Sequence, residues 1–253
     1  MPANIRTPEP YDYSEDLTAG RVDVQKNAQL FFDSLFENDS VLDVGAGLGR
    51  SKERITRNRV TTWDIDARMS KYCDSAGGEM PGLEEDPECE DCLGFGYTGA
   101  MLPRRQCDEC GGTGVGPIRA KFDIVTAFDV IEHVEDDLGL LQQMWERSRR
   151  GIYFTTPNWE ITQCNKAKGG STHHWREYTL EEMLALVERL PFQAFSLVFA
   201  FYKDVDGGWW EHPRPNDKKL RRKHGVLLLR DMAECVLVSA EVLARAQPER
   251  TPG

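Results

Sequence analysis

The sequence predicts an α/β fold with a mostly parallel sheet and helices on both of its faces. First, a short apolar strand at 40–44 runs directly into a glycine-rich turn and a helix. Second, strand-like and helix-like segments alternate along the chain, which is typical of a parallel sheet. Third, the segment FDIVTAF at 122–128 is almost continuously apolar, as expected of a strand that is covered on both sides.

Periodicity and end signals predict the individual elements in order. The helix over 22–36 has apolar residues at helical spacing, and Thr179 begins a capping box that opens a later helix. The predicted helices are 22–36, 50–57, 137–148 and the segment from Thr179 to the stop at Pro191. The predicted strands are 40–44, 60–64, 122–128, 151–155, 192–202 and 234–242.

Length, composition and charge limit the class of protein. A chain of 253 residues, with 40% hydrophobic and 29% charged residues, suits one large domain or a domain with a small insert. The net charge of −11 argues against broad binding to duplex DNA or anionic membranes. No apolar run of the sequence approaches the ~20 residues that span a bilayer, and its first residues do not resemble a signal peptide. We therefore expect a cytoplasmic protein. We expect a mobile arm at 1–20 and a mobile tail at 246–253.

The turn after the first strand is a candidate ligand loop. Asp43-Val44-Gly45-Ala46-Gly47-Leu48-Gly49 connects a strand to a helix. Glycines let the backbone come close to a ligand, and the helix start offers free N–H groups. The next predicted strand ends in Asp64, about 20 residues on, where an acid can accept hydrogen bonds from a ribose diol.

Five motifs in this order resemble those of class I S-adenosylmethionine (SAM) methyltransferases, and in particular the ubiquinone-biosynthesis-like small-molecule group. They are DVGAGLG, VTTWDID, FDIVTAFDVIEHVEDD, GIYFTTPN and HHWREYTLEEMLALVE. The resemblance implies a Rossmann-like domain at 21–245 with a seven-stranded sheet and SAM as cofactor. It also implies a short third strand between Asp66 and Phe122, whose following loop holds the adenine. Candidate adenine contacts lie at 80–86 or just before Phe122.

The resemblance also implies roles for individual residues. Asp64 binds the ribose hydroxyls with Ile65 beside it, and Asp129 borders the methionine part and the methyl acceptor. The residues that cradle the methionine part are Asp43, Gly45, Ala46, Gly47 and Gly49.

Methyl transfer requires alignment of the acceptor and, for a hydroxyl, removal of its proton. The candidate bases are Glu132, His133 and His174, since a histidine titrates near neutral pH. For each histidine a purely structural, hydrogen-bonded role remains open. In some relatives of the ubiquinone type the Glu132-His133 pair could also hold a divalent ion.

Absent motifs narrow the acceptor. The chain has no Pro-Cys pair of a cytosine methylase, and no [DNS]-P-P-[YFW] follows the fourth strand as in amino-directed DNA and RNA methylases. A hydroxyl, carboxyl or amine of a small molecule is therefore the favoured acceptor by resemblance.

A cysteine-rich insert at 87–117 interrupts the domain. Cys89, Cys92, Cys107 and Cys110 form two C-x-x-C-x-G-x-G motifs, which resemble one zinc site of DnaJ-type chaperones. Four thiolates fill a zinc tetrahedron, so a structural Zn²⁺ is favoured over a catalytic one, with a redox C-x-x-C as the alternative. We expect the insert on the carboxyl-end side of the sheet, where it shapes a substrate or partner surface or covers the cofactor.

A second hypothesis is a nucleic-acid or protein binding module on a methyltransferase scaffold. The insert, Trp209-Trp210 and the basic cluster at 218–223 motivate it, although that cluster can equally be a solvated helix face. A chaperone-like function is disfavoured because the chain has no J-domain His-Pro-Asp.

Overall fold

The computed structural model describes residues 24–85, 97–98, 105–106, 118–162, 174–202 and 221–245. The strands are β1 (Ser40–Val44), β2 (Arg59–Asp64), β3 (Ser75–Ala76), β4 (Leu83–Glu85), β5 (Tyr97–Thr98), β6 (Arg105–Gln106), β7 (Ile118–Ala120), β8 (Phe122–Phe128), β9 (Ser148–Pro157), β10 (Phe195–Tyr202) and β11 (Arg221–Leu229). The helices are α1 (Val24–Leu35), α2 (Ser51–Arg54), α3 (Asp137–Glu146), α4 (Trp159–Thr162), α5 (Leu180–Glu188) and α6 (Met232–Arg245), with short 3-10 turns at Ala67–Lys71 and Ile131–His133.

Seven of these strands form one sheet, in the order β10-β11-β9-β8-β1-β2-β3. Neighbouring strands pair in parallel except β11, which is antiparallel to both β9 and β10. The predicted mostly parallel, seven-stranded sheet is therefore confirmed. The ends of β1, β2, β8 and β9 meet at one edge, called here the carboxyl edge.

Helices cover both faces because successive strand residues point to opposite sides. In β1, Leu42 and Val44 contribute to a core with α3 and α5, whereas Val41 contributes to a second core with α1, α6 and Ile55, the residue that follows α2. Aromatic side chains fill the second core: Phe32 stacks on Tyr153, with ring centroids 5.5 Å apart. Burial on both faces explains why β8 reads as a continuous apolar run.

The predicted strand at 234–242 is wrong. That segment lies within α6, a helix whose first turn is capped by Asp231: its carboxylate accepts from the Ala233 N–H at 2.6 Å. Over so short a length, the run of Cys, Val and Leu there fits both the helical period of 3.6 residues and the strand period of two. The missed strand is β11, whose apolar half at 225–229 follows charged residues.

Part of the basic cluster lies in that strand, so residues 221–223 are not a helix face. Other element boundaries differ by a few residues. The helices α2 and α3 end earlier than predicted, and β9 extends beyond 151–155 at both ends.

The third strand, β3, consists of two residues and precedes the cysteine-rich insert. Ser75 pairs with Trp63, and the Gly77 N–H then donates to the Asp64 carbonyl at 2.8 Å. The insert therefore does not replace the third strand, which lies ahead of it. Gly77 and Gly78 are the residues that follow β3 at the carboxyl edge.

The base of the insert joins the sheet at the opposite, amino edge. β4 and β7 pair with each other, and a single residue, Lys121, lies between the end of β7 and the start of β8. Lys121 N–H donates to the Gly82 carbonyl at 2.9 Å, and Arg147 Nε donates to the Met80 carbonyl at 3.1 Å. The expectation that the insert lies on the carboxyl-end side is thus wrong for its base. The described part of the first candidate adenine segment, 80–85, and the residues just before Phe122 lie at this same edge.

Several predicted features lie outside the described residues. They are the arm at 1–20, the tail at 246–253, Trp209, Trp210 and the four cysteines Cys89, Cys92, Cys107 and Cys110. Within the part of the chain that is described, every helix is too short or too polar to span a membrane.

Candidate functional site

The loop after β1 contains three glycines with left-handed backbone conformations. Their φ angles are +66° at Gly45, +54° at Gly47 and +67° at Gly49, a region that L side chains rarely adopt. A Cβ atom on Gly45 would lie 2.7 Å from a methyl carbon of Val130, and one on Gly49 would lie 2.4 Å from the carbonyl oxygen of Tyr72. The loop therefore needs glycine both for its conformation and for its packing.

Hydrogen bonds fix this loop to the end of β2. The Ala46 N–H donates to the Trp63 carbonyl at 3.1 Å, and the Gly47 N–H donates to Oδ2 of Asp64 at 2.9 Å. The thiol of Cys73 donates to the Gly47 carbonyl at 3.3 Å, a contact that no sequence pattern signals. The predicted glycine loop and the predicted ribose acid thus lie together.

Replacing Gly49 with alanine is expected to destabilise the fold by about 3 kcal/mol, because the new Cβ would meet a backbone oxygen in a strained conformation. Gly78 is the matched control, since its φ is +69° and nothing lies within 4 Å of a Cβ built there. Gly78→Ala is expected to cost about 1 kcal/mol, from backbone strain alone. Urea unfolding of both variants measures the difference, and equal losses would contradict the packing argument.

Two buried acids lie beneath and beside the loop. Asp64 accepts N–H groups from Gly47 and Asp66, both at 2.9 Å, and Asp43 accepts from the Thr126 hydroxyl at 3.0 Å. Burial raises the pKa of Asp43 to about 7 and that of Asp64 above its ordinary value. Each oxygen of Asp64 has two lone pairs, so both can still accept a ligand hydroxyl.

Ile65 follows directly and is 69% exposed. Single exposed apolar side chains are ordinary on a protein surface, and Ile65 is distinguished from the others by its position next to Asp64. Ile65 therefore offers an apolar surface next to Asp64 at the carboxyl edge.

Asp129, at the end of β8, has a left-handed backbone with φ +59°. Its Oδ1 accepts from the Thr155 hydroxyl at 3.1 Å, and its Oδ2 forms an ion pair with the ammonium of Lys223. This conformation is uncommon for residues other than glycine, although Asp and Asn adopt it more readily than most. The sheet register explains the pairing with Lys223, because that residue lies opposite Pro157 at the carboxyl edge.

Glu132, His133 and His174 form a cluster at the same edge. One ligand atom from each residue lies within 4.8 Å of the others, and the two imidazole rings meet edge to face with centroids 4.7 Å apart. Glu132 is fully buried; its Oε2 accepts from the Thr156 hydroxyl at 3.1 Å, while its Oε1 has no hydrogen-bond partner among the described residues. Burial, together with the nearby charge of Asp129, raises the pKa of Glu132 to about 8.

The segment that carries His174 is held firmly against the 3-10 turn that carries Glu132. The Trp175 N–H donates to the Glu132 carbonyl at 2.7 Å. Arg176 Nη1 and the Tyr178 hydroxyl each contact the same Asp137 carboxylate at 2.7 Å. The three candidate bases are therefore brought together although 41 residues separate His133 from His174.

Comparison with known proteins identifies the family. The family model described as a methyltransferase domain matches residues 18–225, more than half of the chain. The chain belongs to this methyltransferase family. A search of curated proteins finds no match.

Solved structures share the fold of this methyltransferase. A SAM-dependent methyltransferase from Archaeoglobus fulgidus is 12% identical, with a TM-score of 0.51 over 86% of this chain and 98% of that one. The plantazolicin methyltransferase BpumL in complex with SAH (S-adenosylhomocysteine) is 13% identical, with a TM-score of 0.51 over 86% and 87% of the two chains. Family and fold together make the protein a class I SAM-dependent methyltransferase.

The cluster of this methyltransferase has the groups for two kinds of chemistry. A carboxylate and two imidazoles can accept and pass on a proton near neutral pH. The same groups are ordinary ligands of a divalent cation. Oε1 of Glu132 is the atom of this cluster that is buried without a hydrogen-bond partner among the described residues, and a ligand that donates to it would offset the cost of burying it.

Two residues at the methyltransferase site were not predicted from the sequence. Lys223 was interpreted as part of a surface basic cluster, but it pairs with Asp129 at the carboxyl edge. Glu177 is buried and its Oε1 lies 2.7 Å from Nδ1 of His174. The position of Glu177, three residues after His174, could have signalled this contact; the pairing of Lys223 depends on a strand that was missed.

Proposed function

We propose that this enzyme transfers the methyl group of SAM to a hydroxyl, carboxyl or amine of a small molecule that binds at the cluster of Glu132, His133 and His174. The observation that carries the proposal is the buried Oε1 of Glu132, which has no hydrogen-bond partner in the described part of the chain and lies at the same edge of the sheet as the glycine loop. An acceptor that carries an O–H or N–H would donate to this oxygen. We favour a hydroxyl acceptor, because its proton must leave during transfer and the cluster offers groups to take it.

The proposed SAM site is built from the loop and its neighbours. Asp64 accepts the ribose hydroxyls and Ile65 lies against the adenosine, while Asp129 borders the methionine part and the acceptor. The backbone cradle for the methionine part consists of Gly45, Ala46, Gly47 and Gly49 above the buried Asp43. One fact supports the fit: Oδ2 of Asp64 accepts the Gly47 N–H at 2.9 Å, so the proposed ribose acid and the proposed methionine cradle lie side by side.

When bound, SAM supplies an electrophilic methyl group that an acceptor lone pair attacks in line with the departing sulfur. The protein aligns the two partners and removes the acceptor proton. Glu132 accepts this proton directly or through a neighbouring imidazole. Lys223 forms an ion pair with Asp129, and its positive charge opposes the effect of the Asp129 carboxylate on the pKa of Glu132.

A divalent cation at the cluster is the second candidate for how the acceptor is activated. The convergence of a carboxylate oxygen and two imidazole nitrogens within 4.8 Å favours it. Such an ion would lower the pKa of a bound hydroxyl and so take over the work of a base. The acceptor and the reaction are the same in both cases.

Calorimetry with SAM and with SAH tests the cofactor, and transfer of tritiated methyl from labelled SAM into fractionated extract tests the acceptor. We expect both ligands to bind and the label to enter the small-molecule fraction. Binding of neither ligand would overturn the proposal. Label in nucleic acid or protein, or salt-dependent RNA binding without transfer, would instead favour the binding-module hypothesis based on the insert and the basic cluster.

We further propose that the insert holds one structural zinc ion through Cys89, Cys92, Cys107 and Cys110. The paired strands β5 and β6 support this, because Tyr97 pairs with Gln106 between the two C-x-x-C motifs and so favours their close approach. The base of the insert lies at the amino edge, which favours a partner-binding surface over a cover for the cofactor.

Replacing Cys89 and Cys107 with serine together is expected to reduce zinc from one ion per chain to none, because two thiolates cannot hold the ion alone. SAH affinity should change less than about 3-fold, since the base of the insert lies away from the glycine loop. Atomic absorption and calorimetry on the same sample measure both. Cys235→Ser is the matched control, because Cys235 is a free cysteine in α6. Full zinc content in the double variant would contradict the site.

A further inference from the structure

Glu177 is a buried carboxylate that points at the cluster from behind His174. It is 2% exposed, and its Oε1 lies 2.7 Å from Nδ1 of His174. A carboxylate is buried at a cost unless a donor compensates it. The short contact identifies the His174 imidazole as a donor to Glu177, and therefore as carrying a proton on Nδ1.

The neighbours of Glu177 leave it little freedom to turn away. Arg176 binds the carboxylate of Asp137 and the carbonyl of Glu135, at 2.7 and 2.6 Å. Tyr178 binds the same Asp137 carboxylate and pairs with Asn158 in a parallel bridge. Because the residues before and after Glu177 are both fixed, its carboxylate holds the His174 ring in one orientation.

A neutral imidazole has one N–H and one lone pair, and the hydrogen bond on one nitrogen decides where the lone pair lies. With the proton on Nδ1, the lone pair of His174 lies on Nε2. Because Nδ1 is engaged by Glu177, Nε2 is the nitrogen with which His174 can accept a proton or bind a cation.

We propose that Glu177 is a positioning residue that fixes the Nδ1–H tautomer and the ring orientation of His174, so that the Nε2 lone pair serves the ligand at the cluster. This inference rests on the proposed function, since it takes the cluster as the place where the acceptor reacts. It applies equally to the proton-accepting and the cation-binding chemistry. A purely structural hydrogen bond between Glu177 and His174 would fix the same tautomer, so the rate of methyl transfer is measured beside the tautomer.

The test is a long-range ¹H–¹⁵N spectrum of histidine-labelled protein at a pH where the imidazoles are neutral. The His174 signals are assigned by their loss in His174→Gln. In the unsubstituted chain we expect a single tautomer with the proton on Nδ1. Glu177→Leu should give a mixture of tautomers, whereas Glu177→Gln, which keeps an acceptor oxygen, should retain Nδ1–H.

Glu181→Gln is the matched control, because Glu181 is an exposed carboxylate four residues further on, and it should leave the spectrum unchanged. SAH calorimetry on each sample reports whether the domain is folded. If Glu177→Leu does not fold, the spectra of the unsubstituted chain and of Glu177→Gln still show whether His174 carries its proton on Nδ1. An Nε2–H tautomer in the unsubstituted chain, or a folded Glu177→Leu with an unchanged tautomer, would overturn the inference.

Activity provides the second readout and separates this inference from the proposed function. Methyl transfer is measured with the fraction of the extract that the unsubstituted enzyme labels. Glu177→Leu should slow this transfer about 10-fold or more, and Glu177→Gln less than about 3-fold. If no fraction is labelled although SAH binds and the tautomer is as expected, the proposed acceptor fails while the assignment of Glu177 stands. If transfer is unaffected in a folded Glu177→Leu, the positioning role is wrong and the proposed function is not.

Discussion

Replacing Asp64 with alanine is expected to weaken SAH binding at least 100-fold, measured as the Kd by calorimetry, because two hydrogen bonds from ribose hydroxyls to a carboxylate are worth about 1.5–3 kcal/mol each. The carboxylate is buried, with both oxygens close to the glycine loop and the following turn. Its raised pKa indicates that burial opposes ionisation of this group. Donors from a ligand would relieve that cost.

Two further variants make the result specific. Asp66→Ala removes a carboxylate two residues away that faces Arg68 at the surface, and it should change SAH affinity less than about 3-fold. Asp64→Asn keeps an oxygen that can accept the Gly47 N–H but loses the charge. Its affinity for SAH should therefore lie between those of Asp64→Ala and Asp66→Ala. Equal losses for Asp64→Ala and Asp66→Ala would contradict the ribose assignment and indicate a general effect of charge.

The carboxyl edge was predictable because its components follow one another closely in sequence. A strand, three glycines and an acid at the end of the next strand need only local spacing to be recognised, and the structure brings Gly47 and Asp64 within 2.9 Å. The pair Glu132-His133 was singled out by the resemblance of the segment FDIVTAFDVIEHVEDD to the methyltransferase family, and three residues separate it from the continuous apolar strand β8. The spacing of apolar residues along the chain predicted most of the remaining helices and strands.

The errors occur where tertiary contacts decide between two local possibilities. Residues of α6 such as Cys235 and Val238 suit a strand by composition, and the helix forms because Asp231 caps it and Val238 packs against the second core. β3 has only two residues, too few for any period, and exists because it pairs with β2. Lys223 became a site residue only through the register of β11 with β9, which no single segment of sequence contains.

Glu132→Gln is expected to slow methyl transfer at least 100-fold and to leave SAH affinity within about 3-fold, because the change removes a group that acts on the acceptor but not on the cofactor. The amide has nearly the shape of the carboxylate and can still accept from the Thr156 hydroxyl, so the fold should be retained. Initial rates with tritiated SAM and calorimetry with SAH on one preparation measure both quantities. Glu135→Gln is the matched control, because Glu135 is an exposed carboxylate three residues further along the same loop.

The same pair of variants distinguishes the two kinds of chemistry at the cluster. Mn²⁺, which prefers oxygen and imidazole ligands over thiolates, is titrated into the unsubstituted chain and into Glu132→Gln. Binding to the first and not to the second would establish that the buried carboxylate holds a cation, whereas no binding to either, with transfer still lost in Glu132→Gln, would establish proton removal. A folded Glu132→Gln that transfers methyl groups at the rate of the unsubstituted enzyme would contradict both, since then the buried oxygen, which lacks a partner among the described residues, would have no function in the reaction.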